Sequence, residues 1–464
     1  MMFRELGVGS INNPLMSLYG QSIMARWKLM LLPLVVSLYA LLTTVERHLK
    51  CNLPSIANLL CQAYEAGEIS GPLCPDLCEQ KNIQFGNCLT EAMEDKVYEG
   101  QWHGRDVIFK ANLRWYTDFN TFQKQTDEDV VLSFQDNVSF LVETLFGDCP
   151  QCNRLVSLFL SLGDSDNDGI VTAPEVRSLV PLLRQQEPFM LIALNNSKQT
   201  ADFHGYCGGL YATEKLPLIV SDVLGTEWNF DDLNIVPDTF EPFQEMVKKL
   251  IAKIFDAASS IPYFSKIVVN IPTITLNGIL DAFFDLRMPN RKKQFEYFHS
   301  LLDSVMDLSS NPYGMLQSCD MHLGNFGIAN NSVVKVIDFD AVFPVHYLRH
   351  VLEQKECVSD ADCWFGTKDD CQSSCDTATK KCTSRMQKQD LIHICETHIP
   401  FVLKRPCNQE FSKNNSTCSK KVIRKFELFC KRLRVVDSLD QLRNDVLAVK
   451  KELTHLEKDL SNMC

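Results

Sequence analysis

The hydrophobic positions of this chain first follow the period of β-strands and then that of helices. Apolar residues alternate on both sides of QWHGRD within KVYEGQWHGRDVIFKANL, which predicts a β-hairpin with Gly104 in its turn. From Thr126 to Phe146 they recur at helical spacing, and residues 150–194 have the pattern of a helix–loop–helix. DFHGYCGGLYATEKLPLIV predicts two strands around a glycine turn, and helical patterns dominate from about 240 to 310. We therefore predict an α+β protein, with a small mixed lobe followed by a helical lobe.

An uncharged segment near the start of the chain predicts a membrane anchor. Leu29–Val45 contains no charged residue, and at about 1.5 Å per residue its 17 residues span a thin bilayer. A cleaved signal peptide is the alternative, but it requires a short leading region and a small-residue cleavage site. Because 28 residues precede this segment, we predict an uncleaved signal anchor at 29–45 and a cytosolic tail at 1–28.

The 19 cysteines lie in clusters that could form disulfides or bind metal, and their number is large for a cytosolic protein, so an oxidising compartment is expected. They cluster in segments 46–88 and 351–432, nearly all after the predicted anchor, so the main body is expected in the lumen of the endoplasmic reticulum, with the Golgi as the alternative. For the CPQC motif at 149–152, a structural disulfide is favoured over a redox-active pair. Possible N-glycosylation sites lie at Asn137, Asn195, Asn330, Asn414 and Asn415. The net charge of −12 argues against nucleic acid as a partner.

One loop has the residues of a calcium site. DSDNDGIVTAPE, residues 164–175, matches the twelve-residue EF-hand loop, with Gly169 at its sharp turn. The predicted Ca²⁺ ligands are Asp164, Asp166, Asp168, Ile170 through its carbonyl, Thr172 through a water, and Glu175. The sequence contains no second loop of this kind, although EF-hands usually occur in pairs. An acidic surface turn that binds nothing is the alternative, and Pro181 is expected to end or kink the second helix early.

Four residues have the order and spacing of a phosphoryl-transfer site. In SCDMHLGN, Asp320 and Asn325 are five residues apart, as are the base and the metal-binding Asn of kinases. Asp338 opens DFD at the place of Asp-Phe-Gly, and Lys110 ends a predicted strand, as the ATP-binding Lys does. We therefore predict ATP as the cofactor, Lys110 on its phosphates, Asp320 as the base, and Asn325 and Asp338 as ligands of Mg²⁺ or Mn²⁺.

The departures from the kinase pattern raise the question of activity. Ser318 and Cys319 replace the His and Arg that precede the base, so control through a phosphorylated activation loop is not expected. Asp340 replaces the Gly of Asp-Phe-Gly, and Gly86 is the one good candidate for a glycine-rich loop residue. The sequence does not identify the acid that pairs with Lys110. The candidates are Asp136, Glu128 and Glu143, and Asp136 is slightly favoured.

The motif DMHLGN followed by DFD resembles small-molecule kinases of the aminoglycoside and choline phosphotransferase type. That resemblance implies that His322 lies near the γ-phosphate of ATP, where it would add charge as the pH falls. A hydrogen bond that orients the loop is an equally good interpretation of His322. The phosphate acceptor could therefore be either a protein or a small molecule or glycan, and the sequence does not choose between them.

The whole chain resembles the divergent protein kinase domain 1 family. The resemblance rests on the single anchor, the early cysteines, the embedded EF-hand and the late module CVSDADCWFGTKDDCQSSCDTATKKC. It implies a type II membrane protein with a luminal, bilobal, protein-kinase-like domain. The predicted segments are a Cys-rich region at 46–88, a small lobe at 89–216 with an EF-hand insert at 150–185, a large lobe at 217–350, its Cys-rich part at 351–432, and a helix at 433–464. A luminal kinase is the favoured function, and a Ca²⁺-responsive pseudokinase that acts as a binding or scaffold protein is the alternative.

The last helix has two interpretations. Apolar residues recur with alternating spacings of three and four from Leu439 to Leu460, with charged residues between them. About three heptads of this pattern are the lower limit for a coiled coil, which predicts possible self-association through 433–464. A helix lying on the large lobe would show the same stripe.

Overall fold

The computed structural model describes residues 53–90, 95–112, 114–224, 289–365, 371–404 and 415–463. The predicted cytosolic tail, 1–28, and the predicted anchor, 29–45, lie outside the described residues. Within the described ranges, no helix combines the length and the apolar character needed to cross a membrane.

The small lobe, residues 53–214, is built on a five-stranded antiparallel sheet in the order β1-β2-β3-β5-β4. The strands are β1 Ile83–Cys88, β2 Asp95–Trp102, β3 Arg105–Asn112, β4 Phe203–Cys207 and β5 Leu210–Glu214. The predicted hairpin is confirmed: Trp102 of β2 pairs with Arg105 of β3. His103 and Gly104 both have positive φ, 51° and 73°, the geometry that suits a two-residue turn between twisted strands.

The early Cys-rich segment is part of the small lobe. It supplies β1 to the sheet, and the disulfide between Cys74 and Cys207 joins it to β4. The carboxylate of Asp76 accepts a hydrogen bond from Trp102 Nε1 at 2.8 Å, which clamps the segment onto the hairpin. The predicted boundary at residue 88 therefore falls inside the small lobe. The local sequence pattern could not show this, because disulfide partners and neighbouring strands depend on tertiary contacts.

A helical insert separates β3 from β4. Its helices are α2 Arg114–Gln123, α3 Asp127–Leu132, α4 Phe134–Phe146, α5 Cys152–Ser161, α6 Ala173–Leu183 and α7 Gln186–Ala193; α1, Leu53–Glu65, precedes the sheet. The helical pattern from Thr126 to Phe146 is confirmed, and it comprises two helices that meet at Ser133. The predicted helix–loop–helix is present as α5 and α6, and α6 continues two residues past Pro181 because that proline lies in its last turn.

The large lobe, residues 218–463, combines short strands with helices. Its strands are β6 Leu218–Ile219, β7 Leu316–Ser318, β8 Phe326–Ile328, β9 Val334–Val336, β10 Val342–Pro344, β11 Trp364–Phe365, β12 Cys371–Asp376 and β13 Lys381–Met386. Its helices are α8 Val220–Leu224, α9 Arg291–Ser309, α10 Val345–Gln354, α11 Asp390–His393, α12 Ile399–Lys404, α13 Asn415–Cys430 and α14 Leu439–Met463. The strands form three small sheets, β6-β8-β9, β7-β10 and β11-β12-β13.

The apolar stripe of α14 is buried inside the chain. The helix packs on α9 and α13. Its stripe belongs to the main hydrophobic core through Leu442, Val446, Val449, Leu453, Leu456 and Leu460. The second interpretation of this pattern, a helix lying on the large lobe, therefore describes the fold. In this conformation the stripe is not available to a second chain.

Disulfides hold the late Cys-rich module. Cys357 bonds to Cys375 and Cys363 to Cys382, so this buried cluster of sulfurs consists of disulfides rather than metal-ligating thiolates. The disulfide Cys319–Cys371 ties the module to the rest of the large lobe, and Cys395–Cys430 joins the turn Ile394–His398 to α13. The CPQC motif forms a disulfide between Cys149 and Cys152, as favoured from the sequence.

Candidate phosphoryl-transfer site

Lys110 lies at the centre of the predicted site and is paired with Glu187. It is on β3, opposite Tyr211 of β5, and its side chain is only 13% exposed. Its Nζ forms an ion pair with Glu187 Oε1 and donates a hydrogen bond to the carbonyl of Ile337 at 3.1 Å. The first contact lies within the small lobe, and the second joins it to the residue directly before Asp338.

The prediction that Asp136 pairs with Lys110 is wrong. Asp136 is exposed on α4, and the competing candidates Glu128 and Glu143 are also exposed. Glu187 was missed because the helical insert separates it from Lys110 by 77 positions in the sequence, so the first suitable helix after β3 is not the one that reaches the lysine. An acid at the start of an apolar helix directly before β4 is the signal that would have identified it.

Three carboxylates converge beside Lys110. Glu187, Asp338 and Asp340 each place one oxygen so that all three lie within 4.8 Å of one another. The backbone N–H of Asp340 donates to Asp338 Oδ1 at 3.0 Å. From the sequence, Asp340 was interpreted only as a replacement for the Gly of Asp-Phe-Gly. In the structure it is one of three carboxylates that together have the oxygen ligands of a hard-cation site.

The carboxylates also set the electrostatics of the site. Burial lowers the pKa of Lys110, but the carboxylates of Glu187, Asp338 and Asp340 outweigh it, so the pKa is raised and the ammonium is favoured. The pKa of Glu187 is raised by burial and by the two aspartates, against the lowering effect of Lys110. The cluster thus holds three carboxyl groups beside one ammonium, and a divalent cation bound there would favour their ionised form.

Hydrogen bonds also hold Glu187 from its other side. Tyr211 donates its hydroxyl proton to Glu187 Oε2 at 2.6 Å. Burial, followed by the charge of Glu187, raises the pKa of Tyr211 well above its ordinary value, so the phenol stays a donor. The carboxylate is therefore oriented by Lys110 and Tyr211 together.

The loop predicted to carry the base lies next to the segment of Asp338. The N–H of Ile337 donates to the carbonyl of Asn325 at 3.0 Å, so the two predicted metal ligands are brought together by a backbone contact. Asn325 Nδ2 donates to the carbonyl of Asp320 at 2.8 Å. With its amide nitrogen engaged in this way, the Oδ1 atom of Asn325 is the one left for a cation.

His322 bridges the loop and the predicted base. Its Nδ1 accepts the N–H of Gly324 at 3.1 Å, and its Nε2 lies 3.3 Å from Asp320 Oδ2. Because Nδ1 accepts, the neutral ring carries its proton on Nε2 and donates it to Asp320. The hydrogen bond from His322 is the main cause that lowers the pKa of Asp320, with smaller effects from its charge and from Asn325. This geometry supports the loop-orienting interpretation of His322.

Gly86, the predicted glycine-loop residue, lies inside β1. A Cβ atom there would lie 3.3 Å from the carbonyl oxygen of Glu99 on the neighbouring strand, so the glycine serves close strand pairing. The β1–β2 connection, which would lie over the phosphates in a kinase, spans residues 89–94, of which the structure describes 89–90.

The predicted calcium loop is a turn that brings three aspartate carboxylates together. One carboxylate oxygen each of Asp164, Asp166 and Asp168 lies within 4.8 Å of the others, and Gly169 has φ +86°. Glu175 is 2% exposed; its Oε1 accepts the N–H of Ser165 at 2.7 Å, and its Oε2 accepts the N–H of Thr172 at 2.8 Å. Glu175 thus closes the loop through hydrogen bonds and is not a member of the three-carboxylate group.

Family models match the chain in two places. A model described as the protein-kinase domain of FAM69 matches residues 179–425, and one described as the N-terminal cysteine-rich endoplasmic-reticulum domain of FAM69 matches residues 23–137. Lys110 lies in the second match, and Glu187, Asp320 and Asp338 lie in the first, while the acidic loop at 164–175 lies between the two. The chain belongs to the FAM69 family and carries that family's kinase-like domain together with its endoplasmic-reticulum cysteine-rich domain.

Proposed function

We propose that this protein is a luminal, Mg²⁺-dependent kinase that transfers the γ-phosphate of ATP to a hydroxyl group in the secretory pathway. The observation that carries the proposal is the meeting of Lys110, Glu187 and Asp338 from three separate parts of the chain. Kinases do little covalent chemistry, because catalysis comes from positioning phosphates and neutralising charge. A buried ammonium beside a set of carboxylates suits that task.

Each residue has a role that follows from its contacts. Lys110, held by Glu187, binds the phosphates of ATP. Asp338, with Asn325 and Asp340, holds Mg²⁺ or Mn²⁺, which when bound neutralises phosphate charge. Asp320 is 36% exposed and has a lowered pKa, so it is an ionised acceptor for the hydroxyl proton of an incoming substrate.

A direct test measures binding and transfer together. We expect millimolar Mg·ATP to raise the melting temperature, because any ligand of the native state stabilises it by about 2.7 kcal/mol at a hundredfold excess over its Kd. We also expect labelled γ-phosphate to enter a product in a secretory-pathway extract, and EDTA to abolish the transfer. Mass spectrometry of that product would distinguish a protein acceptor from a small molecule or glycan.

A Ca²⁺-responsive pseudokinase that acts as a luminal binding or scaffold protein is the second candidate. It is supported by the position of Gly86 within a strand, since no glycine-rich turn over the phosphates is present among the described residues. Neither stabilisation by Mg·ATP nor transfer would then be observed. Stabilisation without transfer would indicate a nucleotide-binding scaffold.

The acidic loop is proposed to bind Ca²⁺ and to stabilise the small lobe. Asp164, Asp166 and Asp168 converge, and the loop leads through α6 to α7, which carries Glu187. In the bound form the Glu175 carboxylate would exchange its hydrogen bonds for two contacts to the ion.

For this site we expect Ca²⁺ to raise the melting temperature of the wild type and to have no such effect on Asp166→Asn. That substitution removes a ligand charge from an exposed loop. Asp148→Asn is the matched control, since it removes an exposed charge outside the loop and should keep the Ca²⁺ response. A wild type whose melting is unaffected by Ca²⁺ up to millimolar levels would contradict the proposal.

The luminal orientation is proposed from the cysteines and predicts glycosylation at Asn330. Asn330 is exposed in the turn between β8 and β9. Asn137 differs, because its Nδ2, the atom that would carry a glycan, donates to the carbonyl of Ser133 at 2.9 Å. We therefore expect glycosidase treatment to shift the mobility of the wild type, and Asn330→Gln to remove a glycan that Asn137→Gln leaves in place. A chain without any glycan would contradict the luminal orientation.

A further inference from the structure

We infer that segment 371–398 positions the proposed base, with His398 as a positioning residue that contacts Met321, directly after Asp320. The inference rests on the proposed function. Three residues of the loop that carries Asp320, namely Ser318, Cys319 and Met321, are each bound to a different residue of that segment.

The first anchor is the carboxylate of Asp390. It accepts the backbone N–H of Ser318, with its two oxygens 3.1 and 3.2 Å from the nitrogen, and it also accepts the side-chain amide of Gln317. Asp390 is 3% exposed. Because loss of hydrogen bonds to a buried carboxylate is costly, these contacts fix the chain just before the base.

The second anchor is covalent. Cys319, directly before Asp320, forms a disulfide with Cys371 at the start of β12, and both residues are fully buried. The N–H of Cys319 donates to the carbonyl of Ala341 at 2.7 Å, so the same residue touches the segment that follows Asp340. Because the sulfurs are out of reach of soluble reductants, the disulfide holds the loop constantly and is not a switch.

The third anchor is His398, on the other side of the base. Its Nε2 lies 2.9 Å from the carbonyl oxygen of Met321, which can only accept, so Nε2 carries the proton and donates. His398 ends the helical turn Ile394–His398, and the disulfide Cys395–Cys430 ties that turn to α13. The donor is therefore on a firmly held element.

Together these contacts take over the task of the two residues missing from the kinase pattern. Ser318 and Cys319 stand where kinases have His and Arg, and that Arg commonly responds to a phosphate on the activation loop. Here the residues before and after Asp320 are held by a buried carboxylate, a disulfide and an imidazole. The base is thus held in place without a phosphorylation event.

The test uses the full chain and compares His398→Ala, His398→Gln and the wild type. For His398→Ala we expect kcat for phosphate transfer to fall about tenfold or more, since small misplacements of reacting groups have effects of up to 10²-fold. The KM for ATP should stay within about twofold, because the lysine and metal ligands are untouched. His398→Gln keeps an N–H donor and should recover most of kcat.

Hydrogen exchange of residues 316–325 provides a readout that needs no activity. We expect faster exchange in His398→Ala and in Cys319→Ala/Cys371→Ala than in the wild type. The matched control is Cys357→Ala/Cys375→Ala, which removes a disulfide of the same module that has no partner in the loop. It should leave exchange at 316–325 unchanged.

The outcomes separate this inference from the proposed function. The positioning role would be overturned if His398→Ala changed neither kcat nor hydrogen exchange. It would also be overturned if the KM for ATP rose by the same factor by which kcat fell. If the wild type itself transfers no phosphate, the proposed kinase function fails. Exchange at 316–325 then decides alone whether segment 371–398 positions the loop.

Discussion

Asp338→Ala is expected to lower kcat for phosphate transfer by about a hundredfold to a thousandfold. Removal of the carboxylate takes away the central predicted metal ligand, and metal ions contribute several kcal/mol of charge stabilisation in such reactions, where each 1.36 kcal/mol is tenfold in rate. The same change relieves repulsion in the cluster of Glu187, Asp338 and Asp340, so the free energy of unfolding should not fall. Steady-state transfer assays and urea unfolding measure both quantities.

The control for this prediction is Asp440→Ala. Asp440 is 89% exposed at the start of α14, and its loss removes the same charge far from Lys110. It should leave transfer at the wild-type rate. Equal activity of Asp338→Ala and the wild type would show that the carboxylate cluster does not carry the reaction.

Glu187→Ala is expected to lower the free energy of unfolding by about 3–5 kcal/mol and to abolish transfer. The substitution removes the closest partner of the buried Lys110 and leaves only Asp338 and Asp340 near its ammonium, and removal of one member of a buried ion pair has a cost of that size. It also removes the largest cause that raises the pKa of Lys110, so that pKa should fall. Unfolding in urea and Mg·ATP binding are the measurements.

Asp136→Ala is the matched control for Glu187, because the sequence favoured Asp136 as the partner. It removes a carboxylate from an exposed position on α4, so stability and transfer should stay at wild-type levels. If Asp136→Ala were the more damaging of the two, the pairing of Lys110 with Glu187 would be disproved. Independently of that comparison, a double-mutant cycle of Glu187→Ala with Lys110→Met measures the coupling free energy between the two side chains.

The chemistry of the site was accessible from the sequence because it depends on short spacings. Asp320 and Asn325 lie in one loop, and Asp338 lies close enough in the chain for a small hairpin to bring it back to that loop. The strand that carries Lys110 and the acidic calcium-loop pattern are likewise local. Such features persist in any fold that keeps the local backbone.

Other parts of the site could not be predicted because they depend on how distant segments meet. Glu187 pairs with Lys110 across the helical insert, and no local pattern distinguishes it from Asp136. Asp340 was read as a defect in a motif, since only the folded chain shows it beside Glu187 and Asp338. The stripe of α14 was ambiguous because a coiled coil and an intramolecular contact require the same spacing.

The sequence by itself therefore determined the residues of the candidate site that lie close together in the chain, the hairpin of β2 and β3, and membership of a divergent kinase family. The tertiary structure alone decided the partner of Lys110, the joining of the Cys-rich segments to the two lobes, and the anchoring of the Asp320 loop by Asp390, Cys371 and His398. The physical reason is the range of the interactions. Propensity, turns and motif spacing act within a few residues, whereas ion pairs, disulfides and buried hydrogen bonds form between residues that only folding brings together.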